Sequence, residues 1–491
     1  MKRETDIDVA IVGAGISGIS MAAHLQTMCP GTRFALFERR AELGGTWDLF
    51  RYPGVRSDSD MHSLGFRFEP WLHEKAIADG EAILDYLNRI VRERGIDRHI
   101  RFGTKVVAAD WRPAEARWHL TIEDEHGRRE LRAQFLYLAS GYYDYDDPHD
   151  AQLPGLEKFA GAVIHPQFWP KDLDYSGKRI VVVGSGATAV TIVPAMTGEA
   201  AHVTMLQRTP TWMAARPSRD AFANRLQRWL PGWLAHWITR QKNIRMGHYF
   251  FRKARSEPEA VGAYLTGKLR EGLGEAYSEE HFQPPYGPWQ QRLCLVPDDD
   301  FFEAVKSGKA SIVTGHIDTF ERDGVRLTDG RAIPADVVVT ATGLRLALGG
   351  KIAVSLDGRP VDWTEHWFYR GCLFSNVPNL AVVFGYLNAS WTLRADNNAD
   401  YICRVLNRMR DKRADVVMPH LPEGHGLEED DIVIYSSGYL QRARQMMPKS
   451  AAHLPWRLNQ DYLEDCRDFR KRPVDDGVLR FEKLAAPARA A

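Results

Sequence analysis

The sequence predicts an α/β protein of two parallel-sheet domains, the second carrying a helical insertion. Three observations carry that prediction. A short apolar strand at 9–12 runs straight into Gly13-Ala14-Gly15-Ile16-Ser17-Gly18 and then into a helical stretch ending near Leu25. About 170 residues later the arrangement recurs, with an apolar run at 180–183 followed by Gly184-Ser185-Gly186-Ala187-Thr188-Ala189. Between 219 and 280 the chain is rich in Arg, Lys, Ala, Leu and Trp and poor in strand signals, which reads as helix.

The first strand–glycine–helix unit closes on a second strand at 34–37 that ends on Glu38. The second closes on 203–206, which ends on Gln207-Arg208-Thr209. Each is the opening of a Rossmann-like βαβ fold. Residues 142–154, rich in Tyr and Asp, read as a linker. A strand-like segment at 335–340, followed by Ala341-Thr342-Gly343, reads as the return toward the first domain, and 401–410 as helix. The tail after Phe481 reads as frayed. The expected division is 1–145 for the first domain, 146–213 for the second, 214–290 for the insertion, 291–340 for the rest of the second domain, and 341–491 for the rest of the first with the C-terminal tail.

Composition bounds the function. At 491 residues the chain exceeds one ordinary core. Lys+Arg and Asp+Glu are both 64, so no basic surplus argues for nucleic acid. Cys29, Cys294, Cys372, Cys403 and Cys466 show no CxxC spacing, so neither a zinc site nor a redox dithiol is signalled. Buried thiols in a reducing, cytoplasmic setting are expected. Residues 1–8 are charged and run into a strand, leaving no room for a signal peptide. No apolar run is long enough to span a membrane.

The glycine loops say what is bound. Gly13 permits a tight bend, Gly15 lets backbone approach a pyrophosphate, and Gly18 lets helix and strand pack closely. Ser17 follows at the helix start, whose free N–H groups face an anion. Glu38, twenty positions after Gly18, suits ribose hydroxyls, as in the adenosine of FAD. In the second loop Arg208 stands where the first has Glu38, and a guanidinium there suits the 2′-phosphate of NADPH. Taken alone, Arg208 is also compatible with a solvated strand-end cation.

Residues 159–170, Phe-Ala-Gly-Ala-Val-Ile-His-Pro-Gln-Phe-Trp-Pro, lie just before the second glycine loop. By pattern they form an aromatic-rich loop with one histidine. They match at every specified position the FxGxxxHxxxWP fingerprint of type I Baeyer–Villiger monooxygenases. The chain resembles that family over nearly its whole length, through Gly44-Gly45-Thr46-Trp47, Arg51-Tyr52-Pro53-Gly54 with Asp58, Ala341-Thr342-Gly343 and Gln291-Arg292-Leu293-Cys294. The stretches 47–71, 184–208 and 388–393 resemble the mycobacterial branch that activates thioamide prodrugs such as ethionamide.

The resemblance implies an FAD- and NADPH-dependent enzyme that inserts one oxygen atom of O2 beside a ketone carbonyl, through a C4a-peroxyflavin, giving an ester or lactone. Oxygenation of thioether or thioamide sulfur is implied as well. It makes Arg292 the residue that holds the anionic oxygen and Asp58 its orienting partner. Cofactor contacts are expected at Gly13, Gly15, Ser17, Gly18, Glu38, Gly45, Thr46, Trp47, Asp48, Arg56, Ser57, Asp58 and Val106, and at Gly184, Ser185, Gly186, Ala187, Thr188, Ala189, Arg208 and Thr209. His165 is expected at the hinge between domains, tuning NADP binding rather than moving protons. One departure is Gln291, where ketone-oxidising relatives carry a lysine that helps bind the 2′-phosphate.

The rival readings are a flavin-containing monooxygenase restricted to nitrogen and sulfur, a disulfide reductase, and a flavin sensor without turnover. Trp169-Pro170 and Arg292 oppose the first, and the missing dithiol opposes the second. In the insertion, Trp233, Leu234, Trp237 and Ile238 recur at helical spacing beside Arg240, Lys242 and Arg245. They read either as a helix packed over the second domain or as a peripheral membrane patch. The break at Pro231-Gly232 favours packing.

Overall fold

The computed structural model describes residues 6–431 and 438–484. In the first domain Asp6–Val12 pairs in parallel with Phe34–Phe37 on one side and with Gly127–Leu138 on the other. From Val9 to Val12 the strand is buried on both faces, as a parallel strand covered by helices must be. Gly127–Leu138 continues antiparallel into Arg117–Asp124, which hairpins with Lys105–Arg112. Ala353–Leu356 and Leu380–Val382, from the far end of the chain, add to the same sheet. Helix Ile16–Met28 packs against Trp391–Lys412, so the N-terminal unit is closed only by residues almost 400 positions later.

The second domain is a parallel sheet in the order Ala310–Thr314, His202–Gln207, Arg179–Val183, Val337–Thr340, Ala162–Ile164. Helix Ala187–Met196 follows its glycine loop. Val337–Thr340 lies within this sheet, and the chain returns to the first domain just beyond it. There Ala347 N–H donates to the Tyr142 carbonyl and Leu346 bridges Tyr143.

The insertion holds helices Ala221–Trp229, Gly232–Ser256 and Pro258–Leu273. At its base Met213–Arg216 pairs in parallel with Cys294–Pro297, strands that sequence reading did not predict. The long helix corrects a second expectation, because it packs onto the first domain rather than simply over the second. Arg240 Nη1 donates to the carbonyls of His62, Ser63 and Gly65 at 2.9, 3.0 and 2.6 Å. These carbonyls lie at the end of a single helical turn, where no backbone donor follows to satisfy them. Trp233 and Trp237 face outward instead. No helix among the described residues is long and apolar enough to cross a membrane. The C-terminal tail beyond 484 lies outside the described residues, but Phe481 itself sits in the strand Leu479–Glu482, paired with Val416–Pro419. Four of the five free cysteines are buried; Cys466 is half-buried.

Candidate functional site

The two glycine loops are forced by their surroundings. Gly13 sits at φ +105°, and a Cβ there would lie 2.7 Å from the Ala139 carbonyl oxygen. A Cβ on Gly18 would come within 2.0 Å of the Gly13 oxygen. Gly15 faces Gly45, and the Gly44 N–H donates to the Ala14 carbonyl at 3.0 Å, so a second glycine turn closes over the first loop. Glu38, almost fully buried, accepts from the Ala14 N–H at 2.9 Å and from the Arg40 N–H at 3.0 Å. Burial raises its pKa, while the two amides and the arginines beside it pull it down. A carboxylate has about four lone-pair sites, and two amides leave room for ribose hydroxyls.

In the second loop a Cβ on Gly184, at φ +135°, would meet the Ala341 oxygen at 2.3 Å. A Cβ on Gly186 would meet nothing within 4 Å, so that glycine leaves open space in front of the helix N-terminus. Ser185 Oγ donates to the Thr209 carbonyl at 3.0 Å. Gln207 is buried, its amide donating to the His281 carbonyl and to Thr314 Oγ1. That anchors the strand end and leaves Arg208 exposed, with no ion pair among the described residues. An unpaired guanidinium at this position fits a phosphate.

Both loops open on one cavity of about 2180 Å³. Of the expected residues, Gly13, Gly15, Ser17, Glu38, Gly45, Thr46, Trp47, Arg56, Ser57, Asp58 and Val106 line it from the first domain. Gly184, Ser185, Gly186, Ala187, Thr188, Arg208, Thr209 and Arg292 line it from the other side, with Gln291. Arg292 Nη1 donates to Asp58 Oδ2 at 3.3 Å, both side chains keeping partial solvent access. Arg56 is held by an ion pair with Asp300.

Four expected residues do not line the cavity, each for a physical reason. Gly18 and the fully buried Ala189 occupy the helix–strand contact. Asp48 is buried and engaged by Arg40 at 2.5 Å and by Arg51, so it braces the Gly45 turn from behind. His165 caps the short helix Pro166–Phe168, its Nδ1 accepting from the Gln167 N–H at 3.2 Å. Burial lowers its pKa; the Gly343 backbone offsets this in part without Nε2 reaching hydrogen-bond geometry. The imidazole stays neutral, at the joint between the fingerprint and the Ala341-Thr342-Gly343 turn. Elsewhere in the fingerprint, Phe159 is core and a Cβ on Gly161 would strike the Asp336 carbonyl at 2.3 Å.

Sequence reading missed an aromatic group in the cavity wall. Trp391 Nε1 donates to Ser17 Oγ at 2.7 Å, and its ring stacks on Tyr142 at 4.9 Å and 17°. The Tyr142 and Tyr143 hydroxyls are 2.8 Å apart. Burial raises the Tyr142 pKa well above 10, with Arg292 acting against it, so the phenol stays protonated. Cys294, beside this region, is pushed up to about 12 by burial and is no nucleophile.

Comparison with known proteins gives a consistent picture. Residues 70–253 match the flavin-binding monooxygenase-like family, and residues 11–74 the NAD(P)-binding Rossmann-like domain. The chain is 48% identical over 483 residues to the FAD-containing monooxygenase EthA of Mycobacterium tuberculosis, covering 98% of this chain and 99% of that protein. It is 43% identical to a probable FAD-binding monooxygenase, AlmA, of Acinetobacter baylyi, covering 98% and 97%. Among solved structures, oxidized steroid monooxygenase bound to NADP superposes with a TM-score of 0.74 at 21% identity, over 90% of this chain and 95% of that one. Cyclohexanone monooxygenase superposes at 0.72 and 22%, over 86% and 91%.

Proposed function

The chain belongs to the family of FAD-containing monooxygenases that includes EthA, and on that premise we propose that it is an NADPH-dependent Baeyer–Villiger monooxygenase. It inserts one oxygen atom of O2 beside a ketone carbonyl to give an ester or lactone, and it also oxygenates thioether or thioamide sulfur. The observation that carries this reading is the Arg292–Asp58 pair, 3.3 Å apart in the cavity between the two glycine loops. FAD, reduced by NADPH, supplies the activation of O2 when bound. The protein's part is to bind, orient and stabilise charge.

Arg292 remains protonated at any working pH. Its N–H groups offer charge-assisted bonds to an oxygen that becomes anionic during attack on the ketone. Asp58 accepts from one nitrogen and fixes the guanidinium plane. So exposed a pair adds little to stability, which suits a pair kept for orientation. We assign Glu38 to the FAD ribose and the Gly13, Gly15 and Gly45 turns to its pyrophosphate. Residues 1–145 and 341–491 would form the FAD domain, and 146–213 with 291–340 the NADP domain. Arg208 and Thr209 take the 2′-phosphate; with Gln291 uncharged, preference for NADPH over NADH rests on Arg208. The five unpaired thiols suit the cytoplasm.

The test is Arg292→Ala, assayed on linear, cyclic and aryl ketones and on thioethers with products identified. Flavin content should be kept while ester formation falls by roughly 10²–10³-fold. Comparable ester formation by the variant removes the role of Arg292. Sulfur oxygenation by the wild-type enzyme, without any ester from the ketone panel, removes the Baeyer–Villiger reading.

A further inference from the structure

We propose that the insertion carries a docking face for an anionic lipid surface, formed by Trp229, Trp233, Trp237 and Leu72 with Arg225 and Arg228. This inference is independent of the reaction assigned above. Trp229 is 82% exposed, Trp233 65%, Trp237 56% and Leu72 54%. Trp229 ends one helix, Trp233 begins the next across the Leu230-Pro231 turn, and Trp237 follows one helical turn on. Leu72 joins them from the first domain, since a Cβ on Gly232 would lie 3.0 Å from its side chain. Three indoles and a leucine exposed on adjoining segments are unusual on a protein surface and mark an interaction site.

The long helix cannot turn Trp233 and Trp237 inward. Its other side is filled by Ala235, His236, Thr239, Arg240 and Asn243, all buried against the first domain or neighbouring helices. None of the three tryptophans has an aromatic partner among the described residues.

The charges around the patch choose the occupant. Arg225 and Arg228 are exposed and have no ion pair among the described residues. The nearby acids are already engaged: Glu74 with Arg219 at 2.7 Å, and Asp220 with Lys242 at 3.2 Å. The patch is therefore apolar with an uncompensated cationic rim, on a chain whose formal net charge is zero. Indoles settle at the headgroup level of a bilayer, and guanidinium groups pair with lipid phosphates. A second copy of the chain fits less well, because a two-fold contact would set this cationic rim against itself.

The test uses the FAD-loaded enzyme and vesicles of phosphatidylcholine alone or mixed with an equal amount of phosphatidylglycerol. Co-sedimentation should occur with the mixed vesicles and fall at high salt. Arg225→Gln with Arg228→Gln should weaken binding roughly 30-fold, about fivefold per guanidinium. Trp229→Ser, Trp233→Ser and Trp237→Ser together should abolish it, with flavin content and thermal midpoint unchanged. Should the triple variant not fold, the arginine pair reads the same face. Salt-independent binding, wild-type binding by either variant, or no binding by the wild-type enzyme overturns the proposal. So does a dimer, seen by light scattering, that the tryptophan substitutions dissolve.

Discussion

Tyr142 ties two aromatic neighbours of the first-domain wall together through opposite parts of one ring. Its face stacks on Trp391, which is tied to Ser17 in the first glycine loop, and its hydroxyl meets that of Tyr143. The Tyr142 phenol cannot ionise at neutral pH, so it can share a hydrogen bond with Tyr143 but cannot supply a base. Tyr142→Phe keeps the stack and removes only the hydroxyl. A hydrogen bond of this kind contributes on the order of 1 kcal/mol, so kcat/KM for ketone should fall about fivefold. Tyr143→Phe should act similarly. If the two hydroxyls work as one unit, the double variant loses no more than either single one. Full additivity in that cycle shows separate roles.

The glycine loops show how one element divides its residues between fold and ligand. In Gly184-Ser185-Gly186 the first glycine is pinned by the Ala341 carbonyl, and the last faces open space. Gly184→Ala should therefore destabilise the domain by several kcal/mol, from a positive φ and a hard contact together. Gly186→Ala should leave the thermal midpoint alone and raise the KM for NADPH at least tenfold, because its methyl enters the space meant for pyrophosphate. An unchanged KM would move the nucleotide elsewhere. These loops were legible in the sequence because strand, glycine spacing and helix all lie within a few dozen residues. Met213–Arg216 and Cys294–Pro297 were not, since about 80 residues separate them and neither alternates in polarity. The Arg292–Asp58 pair was reachable only through family resemblance; no local pattern ties positions 234 apart. Nor did helical spacing say which way the long helix faces. That is decided by Arg240 meeting three carbonyls of a turn in another domain.

At the scale of the molecule, the seam between the insertion and the first domain gathers neutral histidines. His236 accepts from the Trp71 N–H at 3.3 Å, and its ring lies 6.1 Å from that of His62. Burial drives the His236 pKa down to about 3; Arg240 and His62 add to the effect, against the Phe66 carbonyl and Asp60. Burial lowers His62 too, with Lys242 and Arg240 opposed by Asp60 and Asp220. Within the first domain itself His24 is likewise lowered by burial, and Arg67 acts with it against Asp396, the Ser20 carbonyl and Asp400. Unfolded, each imidazole takes a proton near pH 6.5; folded, each holds out to lower pH. Below 6.5 the unfolded chain thus binds more protons, and stability falls as pH falls, by up to about 1.4 kcal/mol per unit per histidine. Denaturant unfolding between about pH 7.5 and 5.5 should show this slope while exposed carboxylates stay ionised. His236→Gln should reduce the slope by one histidine's share, at most about 1.4 kcal/mol per pH unit, while His149, His165 and His281, which burial also lowers, keep part of the rest. An unchanged slope would mean that this seam does not carry the acid sensitivity of the fold.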